Sequence, residues 1–176
     1  MTVKKNTSAK KKSSSKKTSA SGKKTVTAGS RASLSPLLRS ALEVLEHSLW
    51  HFFRSETTTD MKFAIMHLDQ SVELLLKEKI RKSGKSIYKN PKETINTIKS
   101  YEILEQELSV TIPEKNNLEL LHEERNNIQH KYSNPTAEDA SFYFEHCFPF
   151  VKRFCQDELG VDIEQHLPKE YMEQLT

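Results

Sequence analysis

Residues 61–83 read MKFAIMHLDQSVELLLKEKIRKS, without a proline or glycine to interrupt them. Ile65, Leu68, Val72, Leu75 and Leu76 recur at helical spacing, so one face of a long helix is apolar and has to be buried against other elements. Lys and Arg crowd its last turn, where the macrodipole favours cations, and Gly84 supplies a stop. Thr59 or Asp60 is the expected N-cap.

Upstream, Ser35 precedes a proline at the first helical position, Pro36, and LLRSALEVLEHSLWHFFRS follows with a stripe of Leu38, Leu42, Leu45, Leu49 and Phe52 or Phe53. Downstream, GKSIYKNPKET reads as a loop and INTIKSYEILEQEL as a shorter third helix. Pro113 marks the start of a fourth helix, EKNNLELLHEERNNIQHKY, and Pro135 is expected to stop it, because the residue before a proline avoids the α region. Thr136 with Asp139 resembles a capping box opening a fifth helix, AEDASFYFEHCFPFVKRFCQDEL, with Pro149 inside it and Gly160 at its end. Pro168 to Leu175 suits a small terminal helix. Five amphipathic segments on short connections predict an all-α fold, an antiparallel bundle of about five helices over residues 34–165. Residues 1–33 form a Lys/Ser-rich tail, and 166–176 a short helix or tail.

Composition supports this reading. Hydrophobic residues make up 35% of the 176 and charged residues 29%, with four Gly and six Pro, a balance that favours helices over turn-rich sheets. The net charge of +3 conceals a split. Residues 1–31 carry ten Lys or Arg and no acid, leaving 17 basic against 24 acidic residues in the rest. A stretch such as KKNTSAKKKSSSKKTSASGKK offers no apolar stripe to bury and repels itself, so the tail is expected to be disordered, either binding nucleic acid through phosphates or serving only as a solubilising leader. No apolar run approaches the roughly 18 residues of a membrane span, and no secretory signal pattern follows the basic start. A soluble, cytoplasmic protein is expected. Cys147 and Cys155 lie about 12 Å apart along one helix, too far for a disulfide, and read as packed thiols.

The chemistry concentrates in the fourth helix, where Leu121 to Pro135 read LHEERNNIQHKYSNP. At about 100° per residue, Arg125 falls between Leu118 and Ile128, in a seam position where the pattern asks for Leu. A guanidinium cannot shed its charge, so it needs a salt bridge to a neighbouring helix or a polar pocket. Asn126 and His130 are i and i+4 neighbours on the opposite face and can touch, whereas Arg125 and His130 are about 140° apart. A second chain could supply the missing wall.

Other constellations are weaker. His47 and His51 have the spacing of a metal pair, but no further ligand is evident in register, and surface histidines are the simpler reading. Glu119-Leu-Leu-His122 matches one half of a di-iron motif whose second half is missing. There is no glycine-rich phosphate loop, and neither cysteine has an activating neighbour. The aromatic run Phe142, Tyr143, Phe144, Phe148 and Phe150 reads as core and interface packing.

At RNNIQH the sequence resembles the HEPN domains, whose hallmark is an Arg, a polar residue and a His after a short interval. Arg125, Asn126 and His130 match that motif, and AIMHLDQSVELLLKEKIRKSGKSIYK resembles the family's corresponding helix. The resemblance covers roughly Pro36 to Ile163. It implies an HEPN-like bundle acting as a homodimer, in which the motifs of two chains meet in one metal-independent endoribonuclease site with no cofactor. It also implies a role in toxin–antitoxin, defence or RNA-processing systems, and a nucleotidyltransferase-like or other antitoxin partner. The family includes non-catalytic members, so a dimerisation or partner-binding module is the alternative. On this reading Arg125 binds the phosphate, Asn126 orients it or His130, and His130 moves the proton. An acidic body is an awkward RNA surface, and the Lys-rich tail is the available compensation.

Overall fold

A computed structural model describes residues 34–54 and 56–175. The expected tail at 1–33 lies outside the described residues. Ser35 accepts a hydrogen bond from the Leu38 amide at 3.1 Å and opens helix α1, Pro36–Arg54. Helix α2, Thr58–Lys82, follows. Its cap is Thr57, not Thr59 or Asp60: Thr57 accepts from the Asp60 amide while the Asp60 carboxylate accepts from the Thr57 amide, a reciprocal pair that satisfies two otherwise unpaired donors.

The α1–α2 pair is antiparallel, and its seam is built on small residues one heptad apart. Ala41 and Ser48 on α1 face Ser71 and Ala64 on α2. The Ser48 hydroxyl donates to the Ala64 carbonyl at 2.7 Å, and the Ser71 hydroxyl to the Ala41 carbonyl at 3.0 Å. All four residues are completely buried, so each hydroxyl has to find a partner, and helix backbones close together provide it. Around this seam the leucines of α1 and the predicted stripe of α2 form the core.

Gly84, in the left-handed region at φ 83, ends α2 as expected. The following segment is not simply a loop. Strands β1, Tyr88–Asn90, and β2, Glu93–Thr94, pair antiparallel with Tyr88 opposite Thr94. Lys77 ties this hairpin to α2 by donating to Thr94 Oγ1 at 2.8 Å while pairing with Glu73. Helix α3, Thr97–Glu102, is capped by Asn96 and continues into a π-helical turn, Ile103–Glu107.

Helix α4, Lys115–His130, ends earlier than Pro135 requires. Lys131 is the cap and Tyr132 turns left-handed at φ 59. Ser133 returns to the helix, its amide on the Asn127 carbonyl at 3.3 Å and its hydroxyl on Glu124 at 2.6 Å. A side chain reaching back thus closes the helix before the proline can act.

Thr136 and Asp139 do form a capping box, opening α5, Ala137–Phe154, which carries Pro149 and passes into a π-helical turn ended by Gly160. Helix α6, Lys169–Gln174, is the terminal helix. Helices α4 and α5 run antiparallel, joined by Arg153 in a two-bonded pair with Glu114 at 2.7 and 3.0 Å and by Cys147 against the Asn117 carbonyl. Helix α2 touches α1, α3, α4 and α5, which is why it buries Asp69, Ser71, Lys77 and Glu78 as well as its apolar stripe. The fold is all-α apart from the hairpin. No helix among the described residues is long and apolar enough to cross a membrane.

Candidate active site

Leu118 and Leu121 fix the roll of α4 by burying its apolar face against α2. That roll directs His122 and Arg125, three residues apart and hence on one side, toward Asp69 of α2. His122 Nδ1 lies 3.1 and 3.2 Å from the two carboxylate oxygens of Asp69, and Arg125 Nε lies 3.6 Å from Oδ2. Asp69 is 1% exposed, so an unpaired charge there would be costly; His122 and Arg125, each about a quarter exposed, are its partners at the edge of the core.

The seam arginine is therefore paired across helices, as its position demanded. Its second contact is unexpected: Arg125 Nη1 donates to Asn126 Oδ1 at 2.9 Å. Asn126 is held by Arg125 and not by His130. The result is a guanidinium fixed from both sides, with 28% of the side chain still open to solvent. His130 stands apart. It is exposed in the last turn of α4, and its ring has no hydrogen-bond partner among the described residues. Tyr132 beside it is 93% exposed. Within one chain, then, Arg125 and Asn126 are brought together and His130 is not joined to them.

A carboxylate only accepts, so His122 Nδ1 must carry the hydrogen it shares with Asp69, leaving Nε2 for a cleft of about 400 Å³. Thr97, Ile98 and Tyr101 of α3 line one side, and Glu119, His122, Glu123 and Asn126 of α4 the other. The hydroxyls of Thr97 and Tyr101 are buried without a hydrogen-bond partner among the described residues. Burial, reinforced by Asp69, holds the Tyr101 phenol protonated. Cys147 and Cys155 are buried and free, and desolvation pushes both thiols up to about 12, so neither is a nucleophile.

Asp69 and Tyr101 were not singled out from the sequence, and His122 was noted only as part of the half-motif with Glu119. The available signal was Asp69 itself, four residues after Ile65 and three before Val72, an acid in the apolar seam of α2 that mirrors Arg125 in the seam of α4. The di-iron half-motif Glu119…His122 gains Asp69 as a neighbour of its histidine, and among the described residues no second copy of the motif completes it.

The hydrogen bond that His122 donates to Asp69 raises the pKa of His122 above the ordinary 6.5, opposed by its burial and by Arg125. A His whose folded pKa is raised contributes stability that is full below pH 6.5 and is lost as pH rises through the folded value. His67 has the opposite shift, lowered by desolvation and by His47 and His51. Its contribution is present above pH 6.5 and is lost as pH falls through its folded value. Side-chain NMR is expected to show His122 titrating above 6.5 and His67 below it. Coincident titrations would mean that the Asp69 contact is not maintained in solution.

In comparisons with known proteins, the chain matches no family model, no curated protein and no solved structure.

Proposed function

We propose that the chain is a metal-independent endoribonuclease of the HEPN type, with its active site completed when two copies bring their α4 C-terminal halves together. The observation that carries the reading is the arrangement of α4: a partly exposed Arg125 fixed by Asp69 and Asn126, and further along the helix a solvent-facing His130 whose ring has no hydrogen-bond partner among the described residues. Tyr132, almost wholly in water beside His130, supports the dimeric form, since an exposed aromatic ring gains by being covered.

The chemistry requires few parts. RNA carries its own nucleophile, so one group takes the 2′-hydroxyl proton as that oxygen attacks phosphorus, and another protonates the departing 5′-oxygen. The products are a 2′,3′-cyclic phosphate and a 5′-hydroxyl. His130 from each chain fills one of these roles, and Arg125 neutralises the charge that builds on the phosphoryl oxygens. Asn126 keeps the guanidinium in place, and its amide remains free to donate to phosphate. Cleavage of a broad RNA panel in EDTA, compared among wild type, Arg125→Ala and His130→Ala, tests this: wild type cuts and both variants do not. A wild type that cuts nothing, or variants that cut equally well, overturns it. An antitoxin of nucleotidyltransferase-like or other type fits the same reading as the protein that restrains such an activity.

One observation favours a second reading. Arg125 already has a carboxylate partner, which suits a non-catalytic dimerisation or partner-binding module. In that case Arg125→Ala weakens association in sedimentation while wild type leaves RNA intact.

A further inference from the structure

His47 and His51 occupy successive turns of α1, and the structure adds a third imidazole that their spacing does not reveal. His67 of α2 meets them across the antiparallel seam, its ring centroid 5.0 Å from that of His47 and 5.8 Å from that of His51. One ligand-capable atom from each of the three lies within 4.8 Å of the others. His51 is buried, not on the surface, and His67 is half-buried with Nδ1 enclosed and without a hydrogen-bond partner among the described residues. An enclosed ring nitrogen with no partner calls for an explanation, and a ligand is one.

We infer that His47, His51 and His67 form a binding site for a divalent transition-metal ion of the Zn²⁺ class, one that clips α1 to α2. Two further observations agree. His51 Nδ1 is 3.1 Å from Asp60 Oδ1, and because a carboxylate only accepts, the hydrogen sits on Nδ1 and the Nε2 lone pair is free. This is the carboxylate–histidine arrangement that orients metal ligands in general. The same carboxylate closes the capping box of α2 through Oδ2, so the orienting group is itself fixed by the helix start.

The geometry is within reach. Nitrogens around a tetrahedral Zn²⁺ are about 3.3 Å apart, so a spread of up to 4.8 Å closes with side-chain rotation, and exposed His47 is free to make it. Three nitrogen donors leave a fourth position for water or a small ligand. Imidazole-only donor sets suit Zn²⁺, Cu²⁺ and Ni²⁺ and disfavour Mg²⁺ and Ca²⁺. The site is separate from the Asp69 network: His67 and Asp69 are two residues apart and about 200° apart around α2.

The sole tryptophan, Trp50, lies parallel to His47 at 5.7 Å and reports on occupancy. Titration of the full chain with Co²⁺ is expected to quench its fluorescence saturably, and Zn²⁺ to reverse the quenching at one equivalent per chain. His67→Gln and His47→Gln are each expected to weaken binding by about 100-fold or more and Asp60→Asn by about 10- to 100-fold, with His122→Gln unchanged. His47 is exposed, so its variant keeps the fold even if the His67 variant does not. Absence of saturable quenching at millimolar Co²⁺, or equal binding by wild type and His47→Gln, overturns the assignment. Neither result bears on RNA cleavage in EDTA.

Discussion

Asp69→Ala is expected to destabilise the fold by about 3 kcal/mol, the low end of the range for breaking a buried ion pair. Among the described residues, Asp69 is the only carboxylate that His122 and Arg125 pair with, and it is almost fully buried. Removing it leaves a fixed guanidinium in the seam between α2 and α4, where a leucine would otherwise pack. The estimate stays at the low end because both partners retain about a quarter of their surface in water and can turn outward. For a fold of this size the loss corresponds to a fall of about 10 °C in the thermal midpoint. Thermal and urea unfolding measure it directly, and a change below about 1 kcal/mol would mean that the network is a surface decoration. Arg125→Met is expected to cost less, because His122 remains beside the carboxylate. The same Asp69→Ala change returns the His122 pKa toward 6.5, which ties the stability effect to a titration.

His130→Ala carries the larger kinetic effect. A positioned acid or base contributes about 10²- to 10⁴-fold, and in a two-copy site the substitution removes both roles together, so the loss belongs near the upper end. Arg125→Ala removes the charge that meets the developing oxyanion, at about 10²- to 10³-fold, and exposes the phosphate to Asp69. The two variants differ in stability. His130 is exposed and its ring has no partner among the described residues, so His130→Ala leaves the unfolding midpoint within about 0.5 kcal/mol of wild type. Lost cleavage at unchanged stability identifies a chemical role; lost cleavage that tracks unfolding identifies a structural one. Arg125→Lys sharpens the comparison, since an ammonium keeps the charge but cannot span Asp69 and Asn126 at once.

What the sequence made legible follows from the physics of each feature. The apolar stripes of α1 and α2, the Thr136–Asp139 capping box and the stops at Gly84 and Gly160 are local, and the structure has them where the pattern puts them. The hairpin at 88–94 has strands of three and two residues, too short for alternation to register. The end of α4 is set by Ser133 reaching Glu124 nine residues back, a contact that overrides the later proline. The seam position of Arg125 was legible as an interruption, but its partner was not: pairing it with Asp69 requires knowing which helices are neighbours and at what height. His67 was hidden for the same reason, as the third imidazole of a group whose other two members lie on another helix.

On the proposed function a competent site exists only between two copies of α4. The cleavage rate per chain in EDTA, followed by dilution through the range where sedimentation shows the dimer dissociating, tests this. Activity per chain is expected to fall in step with the dimer fraction and to vanish in the monomer. Activity per chain that stays constant on dilution into the monomer, or a fully dimeric wild type that leaves RNA uncut, would contradict it.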